Sequence, residues 1–220
     1  MDYFYYESNQ ISAFSVFPAC IVSKSKEIVD SRSFPLFPAS NPPVITCLIV
    51  CTALRRDSKT HTLARAMADC IAAAGMQPDI LDLGTDPLPP CDGVQCYADP
   101  AVKAATVRVK QAGAVVFCSP IYNYQLNSAA KNFIEVTNNG WPDKIVGLVV
   151  NAGGDRSFLS VLPLANSLWL DHHCLIAPRF VYVTPAAFGE TGALKPESEI
   201  GSRLTALAEN LARLTSRLAV

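Results

Sequence analysis

The sequence has no excess of either charge: 18 Lys and Arg stand against 19 Asp and Glu, and no dense basic block interrupts that balance. Nothing therefore steers the chain toward nucleic acid or an anionic membrane surface, and neither is expected as a partner. Long apolar runs are also missing. The greasiest N-terminal stretch, Ile11 to Val22, is broken by Ser12, Ser15 and Pro18, so it reads as neither a membrane span nor a signal peptide. Paired metal-ligand spacings are absent as well: Cys91 and Cys96 form the one close pair outside the apolar runs, without a second to complete a zinc or iron–sulfur set, and read as loop thiols. No metal site is expected. Several other cysteines lie in apolar runs, where the side chain acts as a small hydrophobe, which suits a reducing, cytoplasmic setting.

What is present is apolar bulk. Half of the 220 residues are hydrophobic, enough for one sizeable core. Residues 1–43 differ in texture, with Pro18, Pro35, Pro38, Pro42 and Pro43 among Ser and aromatics and no regular period, and read as an irregular extension outside a domain at 44–220. From Pro43 onward, short continuous apolar runs alternate with segments of helical period. Val44–Cys51, Gln77–Leu83, Ala114–Ser119, Lys144–Asn151 and Cys174–Val183 read as strands, several apolar on both alternating sets, as strands covered on both faces must be. Leu63, Met67 and Ile71 set a helix stopped by Gly75. Further helices are expected over Pro100–Gly113, Asn127–Asn139, Phe158–Asp171 and Pro196–Ala219, the last with Ile200, Leu204, Leu207 and Leu211 along one seam. Parallel strands joined by helices wind right-handed, giving an α/β open sheet with helices on both faces and a binding crevice outside the carboxyl ends of the strands.

Three loops fall at that end. The first, CTALRRDSKTHT, has neither a G-x-x-x-x-G-K-[ST] nor a G-x-G-x-x-G pattern, which removes nucleoside triphosphates and leaves a dinucleotide pyrophosphate without a seat. It offers Thr52, Ser58 and Thr60 with Arg55 and Arg56 at a helix start, suited to a terminal phosphate monoester, or, more plainly, Asp57 or Ser58 caps the helix. In the second, SPIYNYQLN, Pro120 is expected to turn the chain and expose the amides of Ile121, Tyr122 and Asn123 beside flat aromatic surface, which suits a planar heterocycle; a simple strand-to-helix turn would look the same. The third, NAGGDRSF, sets Gly153 and Gly154 where backbone can approach a flat ligand, or where a tight turn is capped by Asp155 or Ser157.

Taken in order, these segments resemble the NAD(P)H-dependent FMN reductases, a flavodoxin-like family that includes chromate and quinone reductases. Thr52 through Thr60 match the family's phosphate loop, Pro120, Tyr122, Asn123, Ala130, Lys131 and Asn132 its P-x-Y-N and L-K-N motifs, and Gly153, Gly154, Leu164, Leu168 and Leu170 its glycine turn and following helix. The resemblance implies a five-stranded parallel sheet of order 2-1-3-4-5 in a three-layer sandwich. It assigns Arg55, Ser58, Thr60 and the Ala53 backbone to the FMN phosphate, Pro120, Ile121, Tyr122 and Asn123 to the isoalloxazine, and Gly153, Gly154 and Asp155 to its pyrimidine side. Three departures stand out: Thr52 replaces a usual Gly, Ala53 a usual Ser, and Asn127-Ser128 a usual Pro-Gly.

The implied activity is transfer of hydride from NADPH or NADH to FMN and on to a small acceptor such as free flavin or a quinone. No catalytic side chain is required, because the cofactor carries the reactivity, and His61, His172 and His173 need no such role. The His172–His173 pair follows a helix end, where the dipole favours cations. The alternative is a flavodoxin-type electron carrier or regulatory module without pyridine-nucleotide activity. Relatives of this kind are dimers or tetramers, and Trp141, Trp169 and Phe188 are candidate interface residues.

Overall fold

The computed structural model describes residues 44–218, so the extension expected over 1–43 lies outside the described residues. Five strands form the parallel sheet expected from the apolar runs. β1 (Thr46–Cys51) lies between β2 (Gln77–Asp82) and β3 (Ala114–Tyr122), and β5 (Ile145–Asn151) follows β3. The apolar side chains on both alternating sets explain the central placing of β1: Cys47, Ile49 and Cys51 enter one core, Leu48 and Val50 the other. The fifth position is shared. The single strand expected over Cys174–Val183 is instead two, β6 (Leu175–Ile176) and β7 (Val181–Val183), each parallel to β5. Pro178, which has no amide to donate, and Arg179, held at φ +63, separate them.

Helices cover both faces. On one, α1 (Lys59–Ala73) packs through Leu63, Met67 and Ile71 beside α5 (Ile200–Leu218), whose Ile200, Leu204, Leu207 and Leu211 are buried as the seam predicted. On the other, α2 (Pro100–Gln111), α3 (Ser128–Val136) and α4 (Leu162–His172) enclose an aromatic core. Phe117 stacks on Trp141 with ring centroids 5.6 Å apart, and Phe133 meets both edge-on.

Two expectations about surface residues are corrected here. Trp141 and Phe188 are buried in the monomer and offer nothing to an interface, whereas Trp169 is exposed on α4 beside Leu170. His172 closes α4 but is buried, and desolvation pushes its pKa down against the pull of Asp171. Burial, not the helix dipole, decides its charge, so the cationic reading fails for this histidine.

Candidate functional site

The loops after β1, β3 and β5 gather at the carboxyl edge of the sheet, and each is held differently. Ser58 is the N-cap of α1: its hydroxyl oxygen accepts from the Thr60 amide at 3.3 Å and its proton is directed to Thr60 Oγ1 at 3.1 Å. Thr60 is fully buried, and Asn151 Nδ2 at the end of β5 also points to its Oγ1, at 3.5 Å. Thr60 Oγ1 is thus shared between the Ser58 hydroxyl and the Asn151 amide. Ser58 therefore caps the helix, and the hydroxyls that the sequence offered as an anion seat lie beside that cap. Arg55 is exposed and pairs with Asp57 at 2.8 Å, a surface ion pair that holds the guanidinium only weakly.

Thr52 does not join that seat. It is buried with its Oγ1 2.8 Å from both Ser119 Oγ and Asn127 Oδ1, while Asn127 Nδ2 donates to Thr52 O at 2.6 Å. Asn127 is also the N-cap of α3, its side chain accepting from the Ala130 amide. Two of the departures from the family pattern are thus one contact, tying β1, β3 and α3 together beneath the loops. The partners lie 75 positions apart, so no local pattern announces the pair.

The β1 loop is clamped from its other side by His61. Its Nε2 donates to Arg55 O at 3.1 Å, which leaves Nδ1 facing Asp82 Oδ2 at 3.1 Å and Cys51 Sγ at 3.3 Å. Among the described residues, Cys51, His61 and Asp82 form the group whose ligand atoms all lie within 4.8 Å, and it is the place where a metal ion could be held. Burial pushes the Cys51 thiol up to about 11, opposed by a hydrogen bond from the Ala53 amide. Ala53 itself is buried. Gly84 presses on the same residue: a Cβ there would lie 2.9 Å from Ala53 O, closer than side chains tolerate.

Pro120 does not turn the chain. It remains in β3, in register with Asn151, because the fixed φ of proline suits extended backbone and its carbonyl accepts from the Asn127 amide. The strand continues to Tyr122 and reverses through Asn123 and Tyr124, at φ +48 and +60, into β4 (Gln125–Leu126). A two-residue hairpin with both residues left-handed was not expected, since the signal for it is Asn-Gly and the second position here is tyrosine. The turn presents Tyr122, Asn123 and Tyr124 to solvent.

In the third loop neither glycine has a left-handed φ, and a Cβ on Gly153 or Gly154 would meet nothing within 4 Å. The protein's own packing does not need glycine there, so the bare backbone leaves space for something else. Nor does Asp155 or Ser157 cap the following 3-10 turn or α4. The loop is held by Tyr182 of β7, which donates to Gly154 O at 2.5 Å and accepts from the Ser157 amide at 3.2 Å. Sequence reasoning missed Tyr182, which lies in an apolar run and reads as core. Ile121, Asn123, Tyr124, Gly153, Gly154 and Asp155 line one open cleft of about 410 Å³. Pro120, Tyr122, Arg55, Ser58 and Thr60 lie outside that lining, and of the last three Thr60 alone bonds to Asn151 at the end of β5. Across the hairpin, Tyr122 and Asn123 border a larger cleft of about 930 Å³ walled by Leu54, Leu88, Cys91 and Asn132.

Comparison with known proteins adds three findings. The sequence model of a family described as NADPH-dependent FMN reductase matches residues 45–188. An NAD(P)H:quinone oxidoreductase of Solanum tuberosum is 29% identical over 186 residues, covering 80% of this chain and 95% of its own, and a probable NADPH:quinone oxidoreductase 1 of Oryza sativa is 29% identical over 82% and 96%. Among solved structures, FerB, a flavoenzyme NAD(P)H:(acceptor) oxidoreductase of Paracoccus denitrificans, superposes with a TM-score of 0.65 at 20% identity, covering 79% of this chain and 98% of its own. An archaeal flavodoxin superposes at 0.54 and 13% identity over 78% and 99%, which makes the fold flavodoxin-like.

Proposed function

The chain belongs to the NADPH-dependent FMN reductase family, and from that premise we propose that it is an NAD(P)H-dependent flavoenzyme whose physiological electron acceptor is a quinone. The observation that carries the reading is the bare backbone at Gly153 and Gly154, facing the Asn123–Tyr124 turn across an open cleft at the same edge of the sheet as the α1 N-cap. Bound FMN supplies the hydride chemistry, accepting from the nicotinamide and passing reducing equivalents on. The chain's own residues bind and orient.

Ser58, Thr60 and the α1 amides would take the phosphate, with Arg55 turning from Asp57 to join them. Ala53, buried just beyond the end of β1, would assist through its backbone. Pro120 and Ile121 would border one side of the ring, Tyr122 and Asn123 its edge, and Gly153, Gly154 and Asp155 the pyrimidine end. The open face is left for nicotinamide and quinone in turn. Leu159, Leu162, Trp169 and Leu170 are exposed together along the start and outer face of α4, and a second copy of the chain covering them in a homodimer or homotetramer fits that surface. We place the working protein in the cytoplasm, with residues 44–220 as the FMN-binding domain.

The test is an absorbance titration with FMN followed by NADPH and NADH oxidation with benzoquinone, and separately free FMN, as acceptor. Flavin uptake with quinone-dependent oxidation is expected. Uptake without nucleotide oxidation would make the protein an electron carrier, and oxidation that proceeds with free flavin but ignores quinone would replace the proposed acceptor.

A further inference from the structure

The two loop thiols to which the sequence gives no task are neighbours in space. Cys91 Sγ and Cys96 Sγ lie 3.9 Å apart in the segment between β2 and α2. Each backbone is already anchored. The Cys91 amide donates to Asn132 Oδ1 on α3 at 2.8 Å, and Asn132 Nδ2 returns to Pro89 O at 3.0 Å. Asp92 Oδ1 accepts from the amides of Val94 and Cys96, both at 3.0 Å. Those bonds hold the Asp92 carboxyl down at about 2, so the turn keeps its clamp through the neutral range. With both backbones fixed, side-chain rotation is the motion left to bring the sulfurs to a bond of about 2.0 Å.

The two thiols are not equivalent. Cys91 is partly exposed and borders the larger cleft beside Leu54 and Tyr122, whereas Cys96 is buried beneath it. Burial pushes Cys96 upward, as it does Cys47, Cys118 and Cys174, so Cys96 suits the second step, in which its proton leaves as water, and not the first. Cys70 is partly buried, with Thr205 as its hydrogen-bonding neighbour.

We propose that Cys91 and Cys96 are a reversible dithiol–disulfide pair in the cleft wall, oxidised by hydroperoxides, with Cys91 attacking and Cys96 resolving. In the first step the Cys91 sulfur attacks one peroxide oxygen, an S–O bond forms as the O–O bond breaks, and the other oxygen leaves as alcohol, or as water from hydrogen peroxide. Cys91 is then a sulfenic acid. In the second step Cys96 Sγ attacks that sulfur, the S–S bond forms as the S–O bond breaks, and hydroxide leaves with the Cys96 proton as water. The thiol pair loses two electrons and the peroxide gains them. A dithiol reductant reverses the change, as a transient bond in a reducing compartment requires.

The test treats the full chain, folded, with a small excess of hydrogen peroxide, then blocks free thiols with N-ethylmaleimide and maps the peptides without reduction. Expected are the loss of two alkylatable thiols, a mass lower by two hydrogens in the peptide holding both residues, no backbone fragments between positions 91 and 96, and full recovery with dithiothreitol. Cys96→Ser should leave a sulfenic acid at Cys91 that dimedone traps, and Cys91→Ser should lose no thiol from Cys96. Finding both thiols still alkylatable after peroxide, or Cys91 oxidised while Cys96 stays free, would overturn the proposal. The wild-type map decides this even if a variant fails to fold.

Discussion

The two halves of the candidate site are built in opposite ways. Where β1 meets β3, the loops rest on a buried polar set of Thr52, Ser119 and Asn127, and His61 clamps the same stretch to β2. Where β3 meets β5, the walls are an exposed two-residue turn and a glycine loop held by the hydroxyl of Tyr182. The first half rests on buried side chains bonded to one another, while the second is open and lightly tethered. A tetrahedral anion gains most from fixed donors, whereas a flat ring that alternates partners needs walls that yield.

That contrast is broken most severely at Asn127. Replacing it with leucine strands Thr52 O and removes the acceptor that Thr52 Oγ1 and Ser119 Oγ share, and unfolding free energy in urea should fall by about 3 kcal/mol. Restoring the family's residues tests whether the two positions act as one unit: in a cycle of Thr52→Gly, Asn127→Pro and the double variant, the coupling should reach on the order of 1 kcal/mol. Simple additivity would dissolve the linked device into two unrelated substitutions.

On the open side, Tyr182→Phe removes the bonds to Gly154 and Ser157. Global stability should drop by about 1–2 kcal/mol, with faster amide exchange over 152–158 and little change in the β1 loop. Tyr124→Gly should act in the other direction, raising stability by about 1 kcal/mol, since tyrosine there holds a left-handed conformation that glycine adopts freely; a denaturation midpoint that stays put would mean the turn is unstrained. The smallest effect is expected at Gly153→Ala, within about 0.5 kcal/mol of the parent because nothing lies within reach of the added carbon. FMN affinity, read by quenching of flavin fluorescence, should nevertheless weaken. An unchanged affinity would move the ring away from that backbone.

The parallel strands, their helices and the meeting of the three loops at one edge were legible because each follows from local apolar period and from the winding rule. The rest depended on distant partners or on residues used against type. The hairpin at Asn123–Tyr124 hid behind a proline that behaves as strand and a tyrosine standing where glycine is usual. The Thr52–Asn127 pair is 75 positions apart, and Tyr182 reads as core until its hydroxyl is followed to Gly154. The break in the last strand was written in Pro178, but a continuous apolar run on either side concealed it.

That break has a bearing on solubility. A sheet must end somewhere, and an uninterrupted outer strand offers a ladder of free amides and carbonyls to any passing chain. Here one margin is divided by Ala177–Phe180 into two short rungs. At the opposite margin Pro78 withholds a donor, and Asp79 is gripped by Arg108 of α2 through two hydrogen bonds of 2.9 and 2.6 Å. Among the described residues neither border presents a long, flat template, which leaves little for edge-to-edge pairing between copies of the sheet.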